Sequence, residues 1–213
     1  MAREHPGEIT LIGLAPLSNI AEAQKKDPSF AKNVRDIVLL GGTYLAQGNT
    51  DYFASEYNFF KDPESAKIVF DNFVDLTMIP IEAVRALRAM PHDHVAIPFT
   101  QIQTAKGKLV HDGFRQAYKN NGNHYGTNDP LAVAVAFLPD IAVEVIEKCC
   151  YIETKGKFTR GMVVLDWFET YPQDSKLHSV DDNAINQNPR RTVKIVTKIN
   201  VQRLLDLMLE SVL

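Results

Sequence analysis

The sequence predicts an α/β fold, in which a mostly parallel, Rossmann-like sheet carries helices on both faces. Short segments that are apolar throughout alternate with segments of helical spacing, which is typical of parallel strands covered on both sides. The chain has 213 residues, of which 45% are hydrophobic and 23% charged, and this is enough to bury one sizeable core. Because no linker, repeat or low-complexity tract interrupts it, residues 1–213 are predicted to form a single domain.

The strands and helices can be assigned in order along the chain. Apolar runs predict strands at 8–14, 36–40, 76–80, 143–152, 162–167 and 193–197. Helical spacing predicts helices at 17–26, 62–72, 129–138, across most of 91–121 with a break near residues 106–107, and from 200 to the end. The Asp62-Pro63 and Asp129-Pro130 steps place a capping carboxylate before a proline, and Asn200 is predicted to cap the last helix. Residues 43–61 are predicted to be a long loop.

Bulk properties exclude several classes of function. A net charge of -3 provides no basic surface for nucleic acid, and no run of about 20 apolar residues is present to span a membrane. Residues 1–6 lack the apolar stretch of a secretory signal. Cys149 and Cys150 are adjacent, a spacing that rarely forms a stabilising disulfide, so we expect reduced thiols and a cytoplasmic protein.

Three places at the carboxyl ends of predicted strands carry polar groups, where ligands of parallel sheets collect. They are the turn after Leu14, the loop after Gly42 and the segment before Asp129. In the second of these, two asparagines and a glutamate, Asn49, Asn58 and Glu56, offer donors and acceptors suited to a polyhydroxylated ligand such as a sugar. The alternative is that they are ordinary loop residues.

Asp129 has two possible roles. It can be a helix N-cap, or it can bind a metal together with the backbone carbonyl of Leu14, since Ca²⁺ accepts both kinds of oxygen. A rival metal site at His92-Asp93-His94 is better interpreted as a solvated helix cap, because neighbouring side chains point in different directions.

Five segments, in order and covering nearly the whole chain, resemble the inosine-uridine nucleoside N-ribohydrolase family. They are Thr10-Leu11-Ile12 with Pro16-Leu17-Ser18-Asn19-Ile20-Ala21; Gly41-Gly42, Gly48-Asn49, Glu56-Tyr57-Asn58 and Asp62-Pro63-Glu64; Asn128-Asp129-Pro130-Leu131-Ala132; Arg160-Gly161-Met162; and the closing segment 199–209.

This resemblance implies a function and roles for individual residues. Asn49, Glu56 and Asn58 would bind ribose hydroxyls, with Tyr57 beside them, while Asp129 and the Leu14 carbonyl would bind calcium. The implied reaction is hydrolysis of the N-glycosidic bond of purine or pyrimidine ribonucleosides to ribose and free base by calcium-activated water.

The sequence departs from the family in its front motif, DxDxxxDD, which supplies the other calcium carboxylates and the water-activating base. The adjacent pair Asp181-Asp182 has no DxD before it. We therefore expect the first strands of the family fold to be missing, the calcium site to be incomplete, and the activity of this chain alone to be low. An open sheet edge promotes self-association, which predicts a homo-oligomer, either a dimer or a tetramer.

Asn128 occupies the position of the family histidine that helps to protonate the leaving base. An amide cannot act as a general acid near neutral pH; His124 and Tyr125 could replace it, or they could be loop residues without a role. The spacing from Asn49 to Glu56 is one residue longer than in common members, and base preference is expected to depend on residues 91–126. Two hypotheses stay open: a nucleoside hydrolase, or a non-catalytic nucleoside- or ribose-binding relative.

Overall fold

A six-stranded mixed sheet organises the protein in the computed structural model, which describes residues 1–51, 53–88, 99, 101–120, 128–169 and 192–213. The strands are β1 (Thr10–Gly13), β2 (Asp36–Leu40), β3 (Leu76–Ile79), β4 (Ala142–Ile152), β5 (Val163–Leu165) and β6 (Thr192–Ile199). Their spatial order is β1-β2-β3-β6-β4-β5. The first four in that order are parallel, and β4 and β5 extend the sheet in antiparallel fashion.

Helices cover both faces of this sheet. They are α1 (Ser18–Lys26), α2 (Phe30–Asn33), α3 (Tyr57–Lys61), α4 (Pro63–Asn72), α5 (Ile81–Arg88), α6 (Ala105–Asn120), α7 (Asp129–Phe137) and α8 (Val201–Glu210), with a short 3₁₀ turn at Pro139–Ile141. Successive side chains of a strand point to opposite faces. On β2, Ile37 and Leu39 pack in the core that contains Val69 and Phe70 of α4. Val38 and Leu40 pack in the core formed with α5, α7 and α8. The predicted α/β architecture is confirmed.

Two of the predicted helix caps are present. The Asp62 carboxylate accepts a hydrogen bond from the Ser65 amide at 3.0 Å, with Pro63 at the first helical position of α4. The Asn200 side chain accepts one from the Arg203 amide at 3.0 Å at the start of α8. At α7, by contrast, Asn128 occupies the cap position and makes no side-chain cap.

The structure corrects the predicted boundaries in three places. The segment predicted as a loop contains α3, which the Glu56 side chain caps. The predicted helical break at residues 106–107 is instead the first turn of α6, where the Thr104 hydroxyl accepts from the Gly107 amide at 3.0 Å. Helix α5 was not predicted, although Ile81, Val84 and Leu87 give it an apolar face directly after Pro80.

Several predicted features lie outside the described residues: His92-Asp93-His94, His124, Tyr125, Asp181-Asp182, and residues 91–98, 100 and 121–126 of the segment expected to set base preference. Within the described part, no helix is long and apolar enough to cross a membrane. Neither Cys149 nor Cys150 forms a disulfide among the described residues, and burial raises the pKa of Cys150 to about 12. Strand β1 forms one edge of the sheet and pairs with β2.

Candidate active site

A pocket opens at the carboxyl ends of β1, β2 and β3. All seven residues predicted for the site line it: Leu14, Asn49, Glu56, Tyr57, Asn58, Asn128 and Asp129. Its remaining wall is mainly apolar and comes from Leu40 and Gly41 of the β2 end, Ile79 of β3, and Ile81 and Val84 of α5. The chain thus brings the seven predicted residues from three separate sequence segments into one cavity, at the place where ligands bind parallel sheets.

Glu56 is the most constrained group of the pocket. One carboxylate oxygen, Oε2, accepts hydrogen bonds from the amides of Gly42 and Asn58, both at 2.9 Å, and of Phe59 at 3.4 Å. The residue is only 8% exposed. Burial raises the pKa of Glu56 above its ordinary value, although the backbone N–H groups act in the opposite direction. The carboxylate is therefore fixed in place by backbone, and its second oxygen takes no part in these bonds.

The two glycines after β2 make this close approach possible. Gly42 has φ +78, a conformation that residues with a side chain rarely adopt. A Cβ on Gly41 would stand 2.7 Å from the Phe59 ring and 3.0 Å from Glu56 Oε2. The Gly41-Gly42 pair therefore lets the end of β2 lie against the capped start of α3.

The two asparagines are oriented by complementary hydrogen bonds. The Asn49 side-chain oxygen accepts from the Tyr57 amide at 2.9 Å. The Asn58 side-chain nitrogen donates to the Leu40 carbonyl at 2.9 Å and to the Leu14 carbonyl at 3.4 Å. These bonds leave an amide donor on Asn49 and an amide acceptor on Asn58. The pocket thus offers one donor and two kinds of acceptor for hydroxyl groups.

Tyr57 lies at the edge of the pocket and is 50% exposed. Its ring is 5.1 Å from the Lys61 ammonium nitrogen, a cation–π distance. The ring is thus an apolar, solvent-accessible surface next to the polar groups.

The pocket also contains the groups predicted to bind calcium, Asp129 and the Leu14 carbonyl. Asp129 is the first residue of α7, where the helix dipole favours a carboxylate. The side-chain oxygen of Asn128 is buried and has no hydrogen-bond partner among the described residues. With the Leu14 carbonyl, these are all oxygen donors, as Ca²⁺ prefers, but they are too few for the six to eight it takes. No group of three or more His, Cys, Asp or Glu side chains able to hold a metal occurs in the described ranges. The donor chemistry fits calcium and the number of donors does not.

Helix α5 supplies site residues that sequence analysis missed. Its Ile81 and Val84 form part of the apolar wall, while Glu82 and Arg85 hydrogen-bond to the loop that leads to Asn49. The helical spacing of apolar residues after Pro80 was the available signal.

Comparison with known proteins agrees with this architecture. The chain is 36% identical over 170 residues to the probable uridine nucleosidase 2 of Arabidopsis thaliana, covering 75% of this chain and 50% of that protein. It is 32% identical over 174 residues to the inosine-uridine preferring nucleoside hydrolase of Leishmania major, covering 80% and 54%. The chain therefore spans about half the length of the curated relatives it matches.

Solved structures share the fold. A plant nucleoside hydrolase superposes with a TM-score of 0.77 at 24% identity, covering 99% of this chain and 64% of that one. The purine-preferring ribonucleoside hydrolase from Gardnerella vaginalis gives 0.75 at 24% identity, covering 99% and 62%. The sequence profile of one family, described as inosine-uridine preferring nucleoside hydrolase, matches residues 1–206. On this match over nearly its whole length, the chain belongs to the inosine-uridine preferring nucleoside hydrolase family.

Proposed function

We propose that this chain forms the ribose-binding part of a ribonucleoside N-ribohydrolase site, which hydrolyses the N-glycosidic bond of a purine or pyrimidine ribonucleoside to ribose and free base. The observation that carries this proposal is the convergence of Asn49, Glu56 and Asn58 in one pocket at the strand ends. Relatives named as uridine nucleosidase and inosine-uridine preferring nucleoside hydrolase support the substrate class.

The three side chains suit vicinal hydroxyl groups. Glu56 presents a carboxylate oxygen that the three backbone amides leave unused, Asn49 presents an amide donor, and Asn58 presents an amide acceptor. Because the bonds described above already fix these groups, little side-chain freedom is lost when a sugar binds. Such contacts accelerate hydrolysis to the extent that they strengthen as the sugar approaches an oxocarbenium-like state.

We propose that the Leu14 carbonyl and Asp129 hold one side of a calcium ion, as the family implies. Bound calcium would lower the pKa of the attacking water. The described residues provide too few oxygens to complete the coordination, so what this chain contributes on its own is the binding and orientation of the sugar.

A second candidate is a nucleoside- or ribose-binding protein without catalytic activity. Asn128 favours it, because this amide lines the pocket where a general acid would serve the leaving base, and an amide does not donate a proton near neutral pH. The small number of carboxylates in the described part of the pocket points the same way. Both candidates require ribose recognition, and they differ in whether ribose is released.

Two further properties remain proposals. Strand β1 has an edge with no partner strand among the described residues, and such edges promote association, so we propose a homo-oligomer, a dimer or tetramer, measurable by analytical ultracentrifugation. We also propose a cytoplasmic location, in keeping with two cysteines that form no disulfide among the described residues.

The proposed function is tested by titrating the full chain with inosine and uridine, and with their 2′-deoxy counterparts, in a calorimeter with calcium present. Ribonucleosides are expected to bind at least about tenfold more tightly, because the missing hydroxyl leaves buried polar groups unpaired. Asn58→Ala should abolish that preference, whereas Asn120→Ala, an exposed asparagine at the end of α6, should preserve it. Equal affinity for the ribo and deoxy forms in the wild type would reject the proposal. Binding with the ribo preference, together with calcium-dependent ribose release above that of Asp129→Ala, would select the hydrolase over the non-catalytic candidate.

A further inference from the structure

We infer that Arg85 is a positioning residue for the pocket: it fixes the turn at Gly48 so that Asn49 is held in place to meet a ligand. The inference rests on the proposed function for what the ligand is. The anchoring of the turn by Arg85 follows from contacts within this chain and does not depend on which ligand binds.

The Arg85 guanidinium binds the loop from outside at three points. One nitrogen, NH1, donates to the side-chain oxygen of Gln47 at 3.0 Å. The other, NH2, donates to the Gln47 carbonyl at 2.6 Å and to the Gly48 carbonyl at 3.4 Å. A guanidinium presents several N–H groups in a rigid plane, so one side chain holds both a side chain and the backbone of the turn.

The same face of α5 holds the beginning of this loop through Glu82, which is three residues before Arg85 and therefore its neighbour on the helix surface. Glu82 Oε1 accepts from the Leu45 amide at 3.1 Å and from the Thr43 hydroxyl. The Thr43 hydroxyl oxygen in turn accepts from the Gln47 amide at 2.9 Å. Residues 43–48 are thus fastened to α5 at both ends.

Asn49 is the first pocket residue after this fastened segment. The bonds from within the loop are those of the Gly48 amide to the Phe53 carbonyl at 2.5 Å and of the Asn49 amide to the Ser55 carbonyl at 3.3 Å. Asn49 itself is exposed, so packing contributes little to its placement. The Asn49 side-chain oxygen also accepts from the Tyr57 amide at the start of α3, and the charged hydrogen bonds from Arg85, which are stronger than neutral ones, tie the turn before Asn49 to α5.

Helix α5 has two roles at once, because Ile81 and Val84 of the same helix form the apolar wall of the pocket. Arg85 therefore ties the turn before Asn49 to the helix that carries this wall. Arg85 does not itself line the pocket, so its effect on a ligand must pass through the turn and Asn49.

The test is a double-mutant cycle on the full chain. Affinities for inosine and uridine are measured by calorimetry for the wild type, Arg85→Gln, Asn49→Ala and the double variant. Arg203→Gln is the matched control, an arginine on α8 outside the pocket whose guanidinium donates to Glu210 at 3.4 Å. Amide hydrogen exchange at Gly48 and Asn49, measured by NMR without ligand, is the second readout.

We expect Arg85→Gln to weaken binding about tenfold in the wild-type background and to have no further effect once Asn49 is alanine, since coupled residues are not additive. Exchange at Gly48 and Asn49 should become at least about tenfold faster. Arg85→Lys should restore part of the affinity, and Arg203→Gln should leave affinity and exchange unchanged.

The outcomes separate this inference from the proposed function. If the wild type binds and Arg85→Gln binds equally well, or if the two substitutions add, the positioning role is wrong and the proposed function stands. If the wild type binds no nucleoside, the proposed function fails, and exchange alone decides: unchanged rates at Gly48 and Asn49 overturn the inference, and faster rates uphold the anchoring of the turn.

Discussion

The isosteric change Glu56→Gln is expected to lower ligand affinity strongly while it changes the free energy of unfolding little. A glutamine keeps an amide oxygen that can accept from the Gly42 and Asn58 amides, both now at 2.9 Å from the carboxylate. What it loses is the negative charge on a side chain that is 8% exposed.

Two opposing contributions of Glu56→Gln to the free energy of unfolding nearly cancel. Hydrogen bonds to a charged group contribute roughly 1.5–3 kcal/mol, and neutral ones roughly 0.5–1.5 kcal/mol, so two neutralised bonds cost about 2 kcal/mol. Removing a buried charge acts in the opposite direction, because its desolvation is no longer required. We therefore expect the free energy of unfolding to change by about 1 kcal/mol or less. For a bound ribose, loss of a charged hydrogen bond is not compensated, and affinity should fall roughly 10- to 150-fold.

The stability difference between the wild type and Glu56→Gln is expected to depend on pH. Burial raises the pKa of Glu56 above its ordinary value of 4.5, so protons bind the folded state more tightly than the unfolded chain. The stabilisation from protonated Glu56 is complete below about pH 4.5 and is lost as pH rises through the raised pKa. The wild type should therefore lose stability relative to Glu56→Gln as pH increases over this interval.

Denaturant unfolding between pH 4 and 8, together with calorimetric titration of a ribonucleoside, measures both effects. Glu147→Gln on the exposed face of β4 is the matched control and should change neither. Parallel losses of stability and affinity in Glu56→Gln would refute the reasoning and make Glu56 a structural cap of α3 alone.

Three further predictions concern the metal, the chemistry and the backbone. Asp129→Ala should abolish whatever calcium affinity the chain has, and unchanged calcium binding by calorimetry would mean that the metal assignment is wrong. This chain alone should release ribose from inosine or uridine several orders of magnitude more slowly than ordinary enzymes. General acid–base catalysis contributes about 10²- to 10⁴-fold to the rate, and activation of water by a metal contributes more. A turnover of about 1 s⁻¹ that disappears in Asp129→Ala would contradict this prediction. Gly42→Ala should lower the free energy of unfolding by more than about 1 kcal/mol in denaturant, because the residue has φ +78 and a Cβ would lie 2.8 Å from the Met78 sulfur. An unfolding midpoint equal to that of the wild type would show that the Gly41-Gly42 turn relaxes freely.

The sequence predicted the sheet and the position of the site because both follow from patterns within single segments. The apolar runs of β2 and β3 are continuous, and the polar residues that follow β2 must lie at its carboxyl end in any parallel arrangement. Asn49, Glu56 and Asn58 were therefore identifiable before their contacts were known. Their roles toward a ligand stay predictions.

What the sequence did not predict depends on contacts between segments. Glu56 sits in a stretch without helical spacing, and α3 is only five residues long, so its capping role appears only once the Gly42 amide is seen to share the same oxygen. The contribution of α5 was missed for the same reason: Arg85 is an ordinary surface arginine until the loop beginning at Thr43 folds back over it.

These contacts also bear on whether the proposed ribose binding depends on the proposed metal site. The groups proposed to bind the sugar lie within one stretch from β2 to α3. Their hydrogen bonds go to backbone of that stretch, with one long bond from Asn58 to the Leu14 carbonyl of the β1 turn. The groups expected to bind calcium, by contrast, come from the β1 turn and the start of α7, which are other segments of the chain. A pocket whose binding side is held by its own backbone keeps that geometry whether or not the metal side is complete. We therefore expect preference for ribo over deoxyribo ligands to survive Asp129→Ala, and a loss of that preference in calcium-free calorimetry would show that the two sides of the pocket form only together.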